Sequence, residues 1–500
     1  MIEAGTNPET TRKAPLAATG LPDFVLRQFK LGQPSHQQLY GILQAGIRDG
    51  SLAAGLRLPP TRVLARTLGI ARNTVVHVYE QLTFEGYVQA RVGRGTFVAD
   101  VFPRPVVAAG KFPLDRNAPL SRRGERTVRE ALAARLQWGA FAPGVPELRM
   151  FPIQTWNRLQ ARVWRRVEPE RLSYATGHGD AGLREAIADY LRGTRGIACT
   201  PAQVVITSGT QQSLHLVAQL LADPGDRVWL EDPGYWGARS VFHATGLESV
   251  AVAVDGEGLA PSAAQWAEPP RLAFVSPSHQ YPTGAHMSLA RRRQLLDYAA
   301  QHGVWVIEDD YDSEFRYDAH PLSALQALDE SGRVIYLGTF SKTLFPALRL
   351  AYLVLPPDLV DGFARALREL FREGQTMQQA VLARFLAEGH YAAHIRRMRG
   401  VYRARHDALM DAIRREFGEA VPVIGAEAGL HMILGLPRTV DDVAVMERGL
   451  YAGVATRPLS IYHLNPEAAA RGLLLGYGSV PEEEIGPQLS RLAGAVTPFL

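Results

Sequence analysis

Apolar residues recur every three or four positions along residues 36–49, which predicts an amphipathic helix near the start of the chain. Two shorter helices are predicted from about Arg62 to Leu68 and from about Ala71 to Glu85, and a glycine-containing turn separates them. Two helices joined in this way form a helix-turn-helix unit, in which the second helix reads the DNA groove.

A basic hairpin is predicted after these helices. Residues 87–91 and 96–99 alternate like strands, and the turn between them carries Arg94 between two glycines. The second helix presents four polar side chains near its start, which can reach phosphates and base edges: Arg72, Asn73, Thr74 and His77. A small helical packing domain with an unrelated hairpin is the alternative, but the order of the parts favours binding of double-stranded DNA.

From residue 151 onward, short strand-like runs alternate with amphipathic helices. Several of the runs, such as residues 204–206 and 304–307, are apolar without alternation, which indicates strands buried on both faces. We therefore predict an α/β unit with a mainly parallel sheet, in which ligands collect at the carboxyl ends of the strands.

The chain is predicted to divide into four parts. Residues 1–32 form an N-terminal extension, residues 33–101 a winged helix-turn-helix domain, residues 102–142 a proline-marked linker, and residues 143–500 the large α/β domain. A length of 500 residues agrees with more than one domain.

Composition and charge indicate the cellular compartment of the protein and the kind of partner that it binds. The single cysteine, Cys199, excludes internal disulfides and zinc sites built from several thiolates, which fits a reducing cytoplasm. The sequence contains no apolar run of membrane-spanning length, so we expect neither a secreted nor a membrane protein. The net charge is only +4, but arginines outnumber acids seven to four in residues 36–100. This excess is typical of a polyanion-binding module, although a solvated basic surface has the same composition.

Candidate chemistry is concentrated around Lys342. This lysine follows the strand-like residues 334–337 in a loop that also contains Thr339, Ser341 and Arg349. Hydroxyls and a guanidinium suit an anion, while the amine can form an imine. Pyridoxal 5′-phosphate (PLP) carries both an aldehyde and a phosphate. The alternative is an ordinary turn with a surface lysine.

Other predicted strands end in residues that suit the same cofactor. Ser208, Gly209 and Thr210 open a helix whose amides can hold a phosphate, although a plain helix cap explains the same residues. Tyr235 follows a glycine and can lie over a flat ring, or belong to the core.

An acidic segment follows the strand-like residues 304–307. Its Asp309 can pair with a protonated pyridine nitrogen, and Tyr311 can donate a hydrogen bond to the ring oxygen. An acidic loop that binds a metal or is solvated is the alternative.

The N-terminal motifs resemble the winged helix of GntR-type bacterial regulators. The resemblance lies in residues 58–65, 71–75 and 93–98. It implies DNA contacts at five positions: Arg62, Arg72, Thr74, His77 and Arg94. At position 77 family members often have arginine, and this chain has histidine.

The C-terminal motifs follow one another in the order found in fold-type I aminotransferases. Together with the winged helix, they resemble the MocR (GabR-like) regulators. The resemblance implies that Lys342 forms the internal aldimine with PLP, that Asp309 and Tyr311 bind the pyridine nitrogen and phenolic oxygen, and that Tyr235 stacks on the ring. It also implies a set of residues around the phosphate: Ser208, Gly209, Thr210, Thr339, Ser341 and Arg349.

Two positions depart from the aminotransferase pattern. Tyr281 stands where an asparagine commonly precedes the Pro-Thr-Gly sequence, and Leu474 stands where an arginine commonly binds the substrate carboxylate. Arg457 and Arg471 lie close in sequence and are the candidates to replace that arginine, with ordinary surface positions as the alternative.

These observations favour a PLP-dependent transcription regulator over an enzyme. An amine or amino acid effector would act at Lys342, and the protein would be a homodimer, because fold-type I sites are usually completed by both subunits. A working aminotransferase with an accessory DNA-binding module is one alternative. A regulator that has lost its cofactor is another.

Overall fold

The structure is a computed structural model that describes most of the chain. The residues that it describes are 21–30, 35–100, 120–129, 139–174, 177–317, 323–372, 374–465 and 469–500. Most of the predicted N-terminal extension and linker therefore lies outside the described residues. The chain divides between Pro119 and Leu120 into two compact units.

The smaller unit contains four helices and one hairpin among its described residues. They are α1 (Leu21–Leu26), α2 (Ser35–Arg48), α3 (Thr61–Leu68), α4 (Arg72–Phe84), β1 (Val88–Arg91) and β2 (Gly95–Val98). Helix α3 ends at Gly69, whose φ of 66° lies in the left-handed region that favours glycine. This residue forms the tight turn between α3 and α4.

The core of the smaller unit follows the predicted apolar faces. Leu39 and Leu43 of α2 and Val75 and Val78 of α4 are completely buried. Val25 of α1 is also completely buried in this core, so part of the predicted N-terminal extension packs against the helix-turn-helix. The hairpin pairs β1 with β2 in antiparallel register.

Helices of the larger unit surround its sheets. They are α5 (Arg122–Arg129), α6 (Ile153–Trp164), α7 (Ala181–Arg195), α8 (Thr210–Leu221), α9 (Trp236–Thr245), α10 (Ala263–Ala267), α11 (Leu289–His302), α12 (Pro357–Phe371), α13 (Thr376–Ala387), α14 (His390–Phe417), α15 (Asp442–Tyr451) and α16 (Glu482–Val496). None of the described helices is long and apolar enough to cross a membrane.

The strands of the larger unit form two sheets. The first contains β3 (Val204–Thr207), β4 (Arg227–Asp232), β5 (Glu248–Asp255), β6 (Gly258–Leu259), β7 (Leu272–Val275), β8 (Trp305–Asp310), β9 (Val334–Thr339) and β10 (Ala351–Val354). The second contains β11 (Val423–Ile424), β12 (His431–Leu436), β13 (Arg457–Pro458) and β14 (Arg471–Gly476).

The large sheet has the strand order β3-β10-β9-β8-β7-β4-β5-β6. The pairings show that β3, β4, β5, β7, β8 and β9 run in one direction, while β10 and β6 run in the other. Every residue of β3, β7 and β9 is buried, as expected for strands covered on both faces. The prediction of a mainly parallel sheet in an α/β unit is confirmed.

This topology brings the carboxyl ends of β3, β4, β8 and β9 to one edge of the sheet, so the motifs that follow these strands converge there.

Residues 139–142, predicted as the end of the linker, belong to the larger unit, because Phe141 is completely buried and Ala140 pairs with Val454. The smaller sheet is antiparallel and has the order β11-β12-β14-β13, in which Arg457 faces Leu474.

Candidate cofactor site and DNA-binding surface

A cavity of about 310 Å³ lies in the larger unit, where the motifs converge. Eight of the predicted cofactor residues line it: Thr210, Tyr235, Asp309, Tyr311, Thr339, Ser341, Lys342 and Arg349. The other two, Ser208 and Gly209, directly precede Thr210 at the start of α8. The structure thus brings together side chains that are up to 141 positions apart in the sequence.

Lys342 lies three residues beyond the end of β9 and is partly buried. Its Nζ donates a hydrogen bond of 2.9 Å to the carbonyl oxygen of Gly144. Burial lowers the pKa of the Lys342 amine, and the charges of Asp312 and Asp309 oppose this effect. A lowered pKa increases the fraction of neutral amine, which is the nucleophilic form.

Asp309 lies near the end of β8. Its Oδ1 is buried and makes no hydrogen bond to the described residues. Burial, with smaller contributions from Asp310 and Glu231, raises the pKa of Asp309 to about 8, while Lys342 acts in the opposite direction. A buried, unpartnered carboxyl oxygen is complementary to a cationic N–H donor such as a protonated pyridine.

Gly209 and Arg349 form a cradle at the start of α8. Gly209 has a φ of 118°, and a Cβ atom added there would lie 2.6 Å from Nη2 of Arg349. Only glycine therefore leaves room for the guanidinium beside the first turn of the helix. A helix N-terminus beside an arginine fits a phosphate group. One amide of this region is already engaged, since the Ser208 N–H donates to Oε1 of Gln212.

Tyr235 precedes α9 and contacts a residue that the sequence did not indicate. Its hydroxyl accepts a hydrogen bond of 3.0 Å from Nε2 of Gln211. Its ring lies edge-on to Tyr281, with 6.1 Å between the ring centroids. Burial raises the pKa of Tyr235 to about 12, so the phenol is neutral at physiological pH.

Tyr311 contacts a histidine from a different loop. Its hydroxyl oxygen lies 3.0 Å from Nδ1 of His279, and the same nitrogen lies 3.0 Å from Oδ1 of Asp312. The sequence showed acids here without a neighbouring histidine, because His279 comes from the segment after β7 and only the fold brings it close.

Three further side chains line the cavity on the side of the smaller sheet. Tyr281 and Tyr462 share a hydrogen bond of 3.0 Å between their hydroxyls, and Arg457 lines the cavity. Arg471 is not part of this lining and contacts the Asp442 carboxylate, with 3.4 Å between Nη1 and Oδ1. Of the two candidate arginines, Arg457 is the one placed at the cavity.

The segment from Pro143 to Val145 also lines the cavity, although no sequence motif indicated it. Gly144 has a φ of 77°, and a Cβ atom there would lie 2.8 Å from Nζ of Lys342. The only local signal is a glycine between proline and valine, which is common in loops. Gly144 and Lys342 are 198 positions apart in the sequence, so no local pattern indicates their contact.

The six predicted DNA contacts lie on the surface of the smaller unit. Five are exposed and Thr74 is partly exposed; they belong to α3 (Arg62), to the start of α4 (Arg72, Asn73, Thr74 and His77) and to the hairpin tip (Arg94). The first turn of α4 contains no acidic residue that would repel a phosphate. His77 Nδ1 lies 3.5 Å from the carboxylate of Glu80. The side chains expected at DNA are therefore accessible.

Comparison with known families agrees with this two-part structure. Residues 121–472 match the family model described as "Aminotransferase class I and II", and residues 35–98 match "Bacterial regulatory proteins, gntR family". The fold and the site define a protein in which a gntR-type DNA-binding domain accompanies a fold-type I aminotransferase domain.

Individual relatives have the same organisation. The chain is 39% identical to the probable rhizopine catabolism regulatory protein MocR of Rhizobium meliloti, over 92% of this chain and 94% of the relative. It is 35% identical to the transcriptional regulator TauR of Rhodobacter capsulatus, over 93% and 97% of the two chains. The chain belongs to the MocR family of HTH-type transcription regulators.

A solved structure supports the assignment of the larger unit. The α-aminoadipate aminotransferase LysN of Thermus thermophilus matches with a TM-score of 0.69 and 30% identity. The match covers 76% of this chain and 97% of that enzyme. That crystal structure contains N-(5′-phosphopyridoxyl)-L-leucine, a compound of PLP type joined to an amino acid.

Proposed function

We propose that this regulator depends on PLP and senses an amine or amino acid effector at Lys342. The smaller unit binds double-stranded DNA, and the larger unit holds the cofactor. We further propose that the protein acts as a cytoplasmic homodimer. The domain limits are those predicted from the sequence, 33–101 for DNA binding, 102–142 for the linker and 143–500 for the effector domain, except that residues 139–142 belong to the effector domain.

The observation that carries the proposal is the presence of three complementary groups around one cavity. These groups are the Lys342 amine, the Arg349 guanidinium beside Gly209, and a buried carboxyl oxygen of Asp309 that has no hydrogen-bond partner in the described part of the chain. PLP carries an aldehyde, a phosphate and a pyridine nitrogen, which match the three groups in turn. When bound, the cofactor supplies an aldehyde that can exchange one amine for another and a ring that withdraws electrons.

Each residue has a distinct task toward the cofactor. Lys342 provides the amine that attaches the aldehyde with loss of water, Asp309 pairs with the pyridine nitrogen, and Tyr311 donates to the phenolic oxygen. Tyr235 covers the ring. The phosphate is held by the group at the start of α8 and around the end of β9: Ser208, Gly209, Thr210, Thr339, Ser341 and Arg349.

The effector class follows from the exchange chemistry and from Arg457. Replacing one amine by another at the aldehyde requires a primary amine. Arg457 lines the same cavity and provides a cation for a carboxylate, opposite Leu474 in the β13–β14 pairing. An effector with both groups is an amino acid. Such an effector changes DNA binding if it prefers one of two arrangements of the dimer.

A catalytically active aminotransferase is the second candidate function. The similarity to an aminotransferase over 97% of that enzyme favours it, and so does the presence of Lys342, which can act as a base once its amine is released. Steady turnover of an amino donor with a keto acid separates the two candidates, because a sensor changes state once for each effector bound.

The experiment that tests the proposal is a titration of the purified protein with PLP. We expect a new visible absorption band that borohydride removes, because borohydride reduces imines. In Lys342→Ala this reducible band is absent, whereas in Lys30→Ala, a change at a lysine on the smaller unit, it persists. A wild-type protein without the band, or an unchanged band in Lys342→Ala, contradicts the proposal.

A further inference from the structure

A carboxylate and a phenol converge on a single imidazole nitrogen beside the cavity. Nδ1 of His279 lies 3.0 Å and 3.1 Å from the two carboxylate oxygens of Asp312 and 3.0 Å from the hydroxyl oxygen of Tyr311. His279 and Asp312 are almost completely buried, and Tyr311 lines the cavity. One ring nitrogen carries either one proton or one lone pair, so it cannot donate to Asp312 and accept from Tyr311 at the same time.

Two observations place a proton on Nδ1 of His279. First, an N–H at this position is required if the ring is to pair with the Asp312 carboxylate. Second, Nε2 of His279 is buried and has no hydrogen-bond partner among the described residues. A proton on Nε2 would leave a buried donor unsatisfied, which costs about 1–3 kcal/mol.

This tautomer determines the direction of the Tyr311 hydroxyl. Because Nδ1–H is the donor, the Tyr311 oxygen can only accept from His279, and its own proton is available to the cavity. Accepting one hydrogen bond also strengthens the bond that a hydroxyl donates. Burial keeps the pKa of Tyr311 well above its ordinary value, so the phenol retains its proton.

Gly429 leaves room for the side chains of His279 and Asp312. Gly429 has a φ of 81°, and a Cβ atom there would lie 2.3 Å from Cε1 of His279 and 2.6 Å from Oδ2 of Asp312. Its carbonyl oxygen accepts hydrogen bonds from the hydroxyls of Tyr317 and Tyr477, which fix this backbone in place. The arrangement therefore depends on glycine at position 429.

Two other histidines face His279, with ring centroids 6.0 Å (His286) and 5.4 Å (His431) away. Burial lowers the pKa of His286 to about 4 and that of His431 to about 3, so both are neutral at physiological pH. Asp312 is thus the acidic group in direct contact with the ring, and Lys342 is a more distant cation that acts on His431.

We propose that Asp312 and His279 are positioning residues that fix Tyr311 as a hydrogen-bond donor to the phenolic oxygen of the cofactor. This inference rests on the proposed binding of PLP. It assigns a task to the histidine of the loop between β7 and α11, which touches Tyr311 and acts through it.

The test measures the pH at which the visible absorption of the PLP-loaded protein changes. Donation from Tyr311 stabilises a deprotonated phenolic oxygen, so Tyr311→Phe raises this midpoint. We expect His279→Gln, whose amide stands near the position of Nε2, to raise it by about half a pH unit or more. His279→Asn keeps an N–H near the position of Nδ1 and restores the wild-type midpoint. His286→Gln is the matched control and leaves the midpoint unchanged.

The double variant His279→Gln/Tyr311→Phe distinguishes positioning from a general structural effect. If His279 acts through Tyr311, its replacement causes no further shift in the Tyr311→Phe background. The affinity of each apoprotein for PLP is measured in parallel; His279→Gln lowers this affinity, and His286→Gln leaves it unchanged. Asp312→Asn shifts the midpoint in the same direction and provides the test if His279→Gln does not fold.

Each contrary result has a separate meaning. The positioning role is overturned if His279→Gln has the wild-type midpoint. Asp312→Asn gives the same test if His279→Gln does not fold. A shift that persists fully in the Tyr311→Phe background also overturns this role. These results leave the proposed function intact. A wild-type protein that binds no PLP overturns both.

Discussion

Replacement of Arg457 by glutamine is expected to separate amino acids from simple amines as ligands of the cavity. Arg457 lines the cavity, whereas Arg471 lies outside the lining and contacts Asp442. Arg471→Gln is the matched control, because Asp442 keeps hydrogen bonds from Ser460 and Gly472 when the Arg471 side chain is shortened. The two variants remove the same charge from neighbouring strands.

The size of the effect follows from the lost charge-assisted hydrogen bond. Such a bond contributes about 1.5–3 kcal/mol, and 1.4 kcal/mol corresponds to a factor of ten in affinity. We therefore expect the concentration of L-alanine that changes the visible spectrum of the PLP-loaded protein to rise by about 10- to 100-fold in Arg457→Gln. The concentration of ethylamine, which has no carboxylate, is expected to stay within about twofold.

L-Alanine and ethylamine differ in the carboxylate, so together they test whether Arg457 binds that group. If Arg457→Gln weakens L-alanine and ethylamine equally, the arginine supports the cavity without binding a carboxylate. If Arg471→Gln has the larger effect on L-alanine, the assignment between the two arginines is wrong. Circular dichroism and thermal unfolding of both variants show whether the fold is retained.

Two further predictions concern Asp309 and the DNA-binding surface. Burial raises the pKa of Asp309 to about 8, so from about pH 4 to 8 the folded apoprotein holds a proton that the unfolded chain releases. This group therefore makes the free energy of unfolding fall as pH rises, by up to about 1.4 kcal/mol per pH unit. Urea unfolding of the apoprotein at several pH values should show a flatter decline in Asp309→Asn than in the wild type. Identical slopes in the two proteins would count against a buried acid at this position. Arg72→Ala is expected to weaken binding to the upstream region of the protein's own gene by about 1–3 kcal/mol in a gel-shift assay, while Arg48→Ala, at an exposed position on α2, has little effect. Equal affinities of Arg72→Ala and the wild type would contradict the assigned recognition helix.

Local sequence signals were sufficient to predict the parallel sheet and most of the cavity. Strands buried on both faces are apolar throughout, and the residues that follow them must meet at one sheet edge if the strands are parallel. For this reason Asp309, Tyr235 and Lys342 could be predicted to lie together before their distances were known. The same rule relates Thr210, at the start of α8, to Thr339, at the end of β9.

The remaining parts of the site depend on contacts that leave no local pattern. Gly144 reaches Lys342 from 198 residues away, and His279 reaches Tyr311 from another loop. The choice between Arg457 and Arg471 was undetermined in the sequence, because each is the first residue of a strand of the antiparallel sheet. In the structure, strand register places Arg457 opposite Leu474, and Arg457 lines the cavity whereas Arg471 does not.

Peptide mass spectrometry shows whether the cofactor attaches to Lys342. The protein is incubated with PLP, reduced with borohydride and digested. We predict a phosphopyridoxyl group on the peptide that contains Lys342, and on no peptide of Lys342→Ala. Reduced wild-type protein without this group, or with the group on a different lysine, would contradict the account.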